Sequence, residues 1–397
     1  MPYSASGLYG LRPPTGADDF IAQEDDIVNE RALVTGCCGY IGAWITLELA
    51  RAGWRVRGTS REPGYARELI AEALAARPDG DSLRDRVEVV PGELLDASSW
   101  RGAADGCAAV VHTACPVATE VGTPREKMHD PALVGTENVL REAARAGGVR
   151  RVVYLSSIVT LLDHHRPLTT PRAPRECVGP DDWNETATPA TDPYAHAKVL
   201  TERRARALVS ELLPGAQFAS VLPGPVAGPP IGGTRVPASV HKMLWPLLDG
   251  QLRFGSVDMT VGLVDVRDVA AAVVALLGLA PERLAEIGAR ARFVCVARPS
   301  PRIHDLADVV RANFEPYAKW MPRRAIPLPR WLLLAVMRLS VTREAHSYSR
   351  AMMGRRVEYD ATLTEETLGV RFRSPRDTVV ETVDWLLRRG LHTPPRA

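Results

Sequence analysis

Cysteine is scarce and unpatterned in this chain. The six present, Cys37, Cys38, Cys107, Cys115, Cys177 and Cys295, include no CxxC pair and no regular spacing. That excludes a zinc site of finger type and a disulfide framework, and leaves a reducing, cytoplasmic setting as the expectation. Charge of one sign is equally lacking. With 49 basic and 47 acidic side chains the formal net charge is +2, too small a field to collect nucleic acid. Long apolar runs are missing too. Residues 331–337 are the most apolar late stretch, far short of the ~20 residues that span a bilayer, and read as a buried or interface helix. Residues 1–26 have no basic start followed by an apolar core, so no secretory leader is expected. There is no HExxH, no internal repeat and no low-complexity tract, and His164 and His165 lack a third ligand at metal spacing. No metal and no membrane partner are expected.

What is present is an ordinary globular mixture, 46% hydrophobic and 24% charged, enough for one large α/β domain with a smaller one attached. Residues 1–28 show no period. From Arg31 onward short apolar runs alternate with amphipathic stretches: strands at 32–35, 54–59, 86–91, 108–113, 151–156 and 217–222, and helices at 40–52, 65–76, 128–146 and 194–213. Such alternation predicts a parallel sheet with helices on both faces. Residues 161–192, rich in Pro, Thr and His, predict a long loop. The Pro/Gly-rich stretch after Pro223 predicts a crossing into a second region, from which a helix at 263–276 and a strand at 292–296 return. The last helix is punctuated by Ser374 as N-cap, Pro375 in the first turn, Asp377 three residues after the cap and Gly390 as the stop.

Two motifs carry chemistry. Thr35-Gly36-Cys37-Cys38-Gly39-Tyr40-Ile41-Gly42 places three glycines at GxxGxxG spacing between a strand and a helix. A turn of that kind lets a pyrophosphate approach the backbone, where the helix N-terminus offers free N–H donors and a favourable dipole. The second strand ends Arg57-Gly58-Thr59-Ser60-Arg61, without the acidic residue that would accept from the ribose hydroxyls in NAD binding. Arg61, with Arg67 behind it, suits a 2′-phosphate instead, so NADP is the expected cofactor. The second motif is Tyr194-Ala195-His196-Ala197-Lys198. Four-residue spacing puts Tyr194 and Lys198 on one helix face, where an ammonium favours the phenolate and tunes the phenol for proton exchange with a carbonyl or alcohol oxygen. Ser156 and Ser157 end the fifth strand, and a hydroxyl there could hold the substrate oxygen. Asp265 and Asp268 fit a helix start, and Cys115 fits packing better than a place in the pocket.

From Arg31 to Gly390 the chain resembles the extended short-chain dehydrogenase/reductases, and among them the dihydroflavonol reductase and cinnamoyl-CoA reductase branch. The stretches that carry the likeness are GYIGAW at 39–44, VRGTSR at 56–61, GCAAVVHTA at 106–114, DPALVGTENVL at 130–140 and RVVYLSS at 151–157. The resemblance implies a Rossmann-type doubly wound parallel sheet with a smaller C-terminal substrate-binding region. The expected division is an extension at 1–28, a dinucleotide-binding domain at 29–229 and a substrate-binding region at 230–397, with 262–297 partly returning to the sheet. It also implies roles: Ser157, Tyr194 and Lys198 as the catalytic triad, and Asn138 as the helix asparagine that supports a proton relay to the lysine. For the cofactor it implies Gly36, Gly39, Tyr40, Ile41 and Gly42 at the pyrophosphate, Arg61 at the 2′-phosphate, and Thr113 and Ala114 along the dinucleotide. Pro223, Gly224 and Val226 match the segment closing over the nicotinamide, where Tyr194 and Lys198 also reach. Glu93-Leu94 stand where the family has Asp-Leu beside the adenine.

The departures concern substrate. The signature that cinnamoyl-CoA reductases carry before the catalytic tyrosine is replaced by Thr188-Pro189-Ala190-Thr191-Asp192-Pro193, and Leu161-Leu162 follow the serines. The plant substrates are therefore not expected here, and residues 181–185 fit structural anchoring. The leading expectation is an NADPH-dependent reductase of a mostly apolar ketone or aldehyde of secondary metabolism, or the reverse alcohol dehydrogenase, with a homodimer left open. Set against it are a sugar-nucleotide epimerase/dehydratase or 3β-hydroxysteroid-type dehydrogenase, and a non-catalytic dinucleotide sensor.

Overall fold

Short runs of β-branched and small apolar residues, each stopped by glycine or a polar turn, build the central sheet. The computed structural model describes residues 29–115, 125–162, 176–232, 237–250, 253, 258–321, 331–332, 335 and 354–394. Strand β1 (Arg31–Thr35) ends at Gly36 and is followed by helix α1 (Tyr40–Arg51). Then come β2 (Arg55–Ser60), α2 (Pro63–Ala75), β3 (Val87–Pro91), β4 (Ala109–His112), α3 (Arg125–Ala146) and β5 (Arg151–Leu155). After the short β6 (Glu176–Val178) the chain forms α4 (Pro193–Leu212) and β7 (Gln217–Pro223).

Seven strands form one sheet in the order β10-β7-β5-β4-β1-β2-β3, with β10 at Arg292–Cys295. Every pairing in it is parallel. Strands β4, β5 and β10 are buried throughout, as expected of strands covered on both faces. On one face α1, α2 and α6 (Val266–Gly278) contribute Ile45, Leu47, Ile70 and Val273 to a core cluster. On the other, α3 and α4 contribute Leu140 and Leu208 against Val110 and Val152. The order reverses between β1 and β4, where Thr35 pairs with His112. That is the crevice in which open α/β sheets hold ligands, beyond the C-terminal strand ends.

Beyond β7 the chain makes β8 (Val226–Ala227), α5 (Ala238–Leu248) and β9 (Val264–Asp265), with β8 and β9 paired in parallel. Strand β10 then joins the central sheet beside β7. Helix α7 (Ile303–Asn313), β11 (Val357–Tyr359) and α8 (Pro375–Arg388) complete the described chain. Leu306 and Val310 of α7 pack with Val379, Val383 and Leu386 of α8. Part of the segment expected as loop is a strand instead. Glu176–Val178 pairs in parallel with Val357–Tyr359, a partner so distant that no local period announces it. His164 and His165 lie outside the described residues, as do residues 1–28. Among the described residues no helix is long and apolar enough to cross a membrane, and no group of three or more metal-ligating side chains forms.

Candidate active site

The glycine-rich turn is built by close approach. Gly36 has φ +70, and a Cβ there would lie 3.3 Å from Ala114. A Cβ on Gly42 would lie 2.2 Å from the Gly36 carbonyl oxygen, so no other residue fits without opening the loop. Gly39 caps α1 and donates its N–H to Gly36 O at 2.9 Å. Helix α1 has no side-chain cap and no acid in its first turn, so its first-turn N–H donors are open to an anion. These features fit a dinucleotide pyrophosphate. The Tyr40 side chain does a different job: its hydroxyl donates to Gly228 O at 2.7 Å, while Trp44 Nε1 donates to Pro229 O at 3.0 Å, tying α1 to the crossover segment.

Thr35 and His112 set the wall of the crevice. Thr35 Oγ1 accepts from the Thr113 and Ala114 N–H groups at 3.1 and 3.0 Å. Its own proton is therefore free for His112 Nδ1 at 2.8 Å. Nδ1 being an acceptor, Nε2 carries the proton and donates to Thr136 Oγ1 at 3.0 Å, and Thr136 donates to Ala132 O at 2.7 Å. Burial, helped by the Lys198 charge, drives the His112 pKa down to about 3, so the ring stays neutral. No motif had marked His112 or Thr136.

The residues expected at the adenine end lie at the end of β2, on α2 and in the loop after β3. Arg61 is exposed at the end of β2 and lies 3.9 Å from the Glu93 carboxylate. Arg67 is less free, because its Nη2 donates to Val89 O at 3.0 Å and braces α2 against β3. Glu93 O accepts from Trp100 Nε1 at 2.7 Å, and Leu94 O accepts from Asn138 Nδ2 at 2.8 Å. Asn138 thus fixes the loop after β3 to α3. Pro223 closes β7, Gly224 donates to Cys295 O at 3.1 Å, and Val226 is buried where β8 meets β9.

Ser157, Tyr194 and Lys198 come together at the end of β5. The Pro193 start and the Asp192 cap, which accepts from Ala195 N–H at 3.0 Å, begin α4 just before the tyrosine. Ser157 stands close enough to the Tyr194 phenol to act on its titration. Burial raises the Tyr194 phenol, while Lys198 and Ser157 work the other way; the net effect keeps the phenol protonated. Lys198 is buried, donates to Leu155 O at 3.2 Å and stands 5.7 Å from the Tyr154 ring centroid. Burial alone would favour its neutral amine, but Cys115, Tyr154 and Tyr194 outweigh that and hold the ammonium above its usual value. Cys115 is half-buried and close enough to act on the Lys198 ammonium, nearer the chemistry than the packing role expected of it. A half-buried proton donor, a fixed cation and an orienting hydroxyl can protonate an oxygen that gains negative charge.

The loop at 181–185 is held at each residue. Asp181 pairs with Arg290, Asp182 accepts from Gly179 N–H, Trp183 stacks against Arg203 and Arg292, Asn184 donates to Val159 O, and Glu185 pairs with Arg203. Leu161 and Leu162 are core residues.

Comparison with known proteins gives this geometry a setting. The model of the NAD dependent epimerase/dehydratase family matches residues 32–287. Cinnamoyl-CoA reductase 1 of Petunia hybrida is 32% identical over 302 residues, covering 74% of this chain and 78% of its own. Dihydroflavonol 4-reductase of Hordeum vulgare is 27% identical over 290 residues, covering 72% and 75%. In fold, the yeast methylglyoxal/isovaleraldehyde reductase complexed with NADPH aligns at a TM-score of 0.66 and 20% identity, over 91% of this chain and 99% of its own.

Proposed function

The chain belongs to the NAD dependent epimerase/dehydratase family and is an oxidoreductase of its dihydroflavonol reductase and cinnamoyl-CoA reductase branch, and from that premise we propose that it is an NADPH-dependent reductase of small ketones or aldehydes. The observation that carries the reading is the gathering of Ser157 and Tyr194 beside the buried Lys198 at the crevice. A bound nicotinamide supplies hydride to the carbonyl carbon. Ser157 orients the carbonyl oxygen, and Tyr194 gives it the phenolic proton. Lys198 stabilises the phenolate left behind, which lowers the cost of the transfer. Cys115 tunes the same ammonium. Gly36, Gly39 and Gly42 with the start of α1 hold the pyrophosphate, and Arg61 takes the 2′-phosphate.

The substrate class follows from the composition of the segment after β7. Apolar residues dominate the described part of 226–263, and a nucleotide-linked substrate would need a tighter set of arginines. An uncharged aliphatic or aromatic carbonyl suits it. The test is NADPH and NADH binding by fluorescence, then NADPH consumption on isovaleraldehyde, benzaldehyde and a sugar nucleotide. Tighter NADPH binding and turnover of a neutral carbonyl, abolished in Tyr194→Phe while NADPH binding persists, are expected. Conversion of the sugar nucleotide alone would promote epimerase chemistry in its place.

A further inference from the structure

Glu202 and Arg292 form a buried ion pair that the proposed chemistry does not use. Glu202 is fully buried and Arg292 is 1% exposed. Arg292 Nε donates to Glu202 Oε1 at 2.7 Å. A pair so deep in the protein gives little net stability against an apolar replacement, and its position points to another role. Glu202 is one turn beyond Lys198 and two beyond Tyr194, on the same face of α4. Its Oε2 accepts from Ser156 Oγ at 2.5 Å, immediately before Ser157. Arg292 Nη2 donates to Thr160 Oγ1 at 2.8 Å, and Thr160 Oγ1 in turn donates to Ser157 O at 2.8 Å. The remaining donor, Nη1, binds Pro180 O at 2.9 Å and Asp182 O at 2.6 Å, and the guanidinium stacks 3.7 Å from the Trp183 ring centroid.

We propose that Glu202 and Arg292 are positioning residues that clamp Ser157 from both sides of the chain and lock it to the helix bearing Tyr194 and Lys198. The ion pair joins three elements: the end of β5, through Ser156 and Thr160, helix α4 and strand β10. Carboxylate and guanidinium satisfy each other and leave no free charge behind the site. What they transmit is distance, the Ser157–Tyr194 separation on which proton donation depends.

This inference rests on the proposed role of Tyr194, so the experiment includes a readout that needs no turnover. The probes are NADPH and benzaldehyde, with ultraviolet difference titration of tyrosinate and Tyr194→Phe to identify the Tyr194 step. Arg292→Met is expected to move that step and lower kcat on benzaldehyde by on the order of tenfold or more, with KM and NADPH affinity changed little. Glu202→Gln/Arg292→Met together should recover part of the loss, because no lone buried charge remains. Ser156→Ala and Thr160→Val each cut one arm of the clamp and leave the ion pair intact, so they answer the question if Arg292→Met does not fold. Each should shift the Tyr194 step in the same direction by a smaller amount. Variants that lose only thermal stability, with the Tyr194 step and the kcat of folded protein unchanged, would overturn the proposal. A wild-type protein that ignores NADPH and benzaldehyde while the variants still move the Tyr194 step would overturn the proposed function and leave the clamp standing.

Discussion

Arg61 meets a competitor before it meets a cofactor. Its guanidinium lies 3.9 Å from Glu93, and a 2′-phosphate arriving there would meet that carboxylate as well as the cation. An aspartate, one methylene shorter, would stand farther off. Glu93→Gln should therefore raise the preference for NADPH over NADH, by about two- to fivefold for so exposed a pair. Arg61→Ala should shrink the preference by on the order of tenfold or more, since it removes a charge-assisted bond. Paired Kd measurements for both nucleotides check this, and a Glu93→Gln protein with an unchanged ratio would remove Glu93 from the reading. Arg67 shows why residue type alone misleads at this scale: its charge suits phosphate, but its donor is already committed to Val89 O.

The turn from β1 into α1 works as an element because two glycines let its backbone cross itself. Gly42→Ala would press a methyl group against the Gly36 carbonyl. Opening the loop to relieve it should cost about 1–3 kcal/mol of stability and most of the NADPH affinity. Gly64→Ala in α2, where nothing lies within 4 Å of the added carbon, should be neutral or stabilising by up to ~1 kcal/mol. Comparing thermal melts and NADPH titrations of the two variants separates the effects. This turn was readable in advance because GxxGxxG is local, as were the Tyr194–Lys198 spacing and the Ser374 cap, which accepts from Asp377 N–H at 3.1 Å. Strand β6 was not, because its partner β11 lies far along the chain. Glu202 left half a signal, four residues after Lys198, but Arg292 completes it from another strand. His112 looked like any residue of a buried strand, and only the pairing of β1 with β4 brings it to Thr35.

Two buried groups on opposite sides of the molecule act on stability with opposite sign. His112 stays neutral between β4 and α3, its pKa driven down to about 3 from 6.5. Asp268, in α6, accepts from Arg373 N–H at 2.7 Å, yet burial outweighs Arg373 and pushes its carboxyl up to about 6 from 3.8; Asp265 adds to the rise. Between pH ~3 and ~6.5 the unfolded chain binds a proton at His112 that the folded chain refuses, so this contribution is lost as pH falls. Between pH ~3.8 and ~6 the folded chain holds a proton at Asp268 that the unfolded chain has released, so that contribution is lost as pH rises. Each slope approaches about 1.4 kcal/mol per pH unit at most, and in the shared window they offset each other. Asp268→Asn should leave the His112 slope uncovered and make the protein lose stability more steeply than wild type from pH 6 to pH 4. His112→Gln, whose amide can still accept from Thr35 and donate to Thr136, should reverse the difference over the same range. Urea unfolding at half-unit pH steps, read as variant minus wild type, cancels the carboxylates common to both. Parallel curves for Asp268→Asn and wild type would show that Arg373 holds Asp268 ionised, leaving nothing at Asp268 to offset His112.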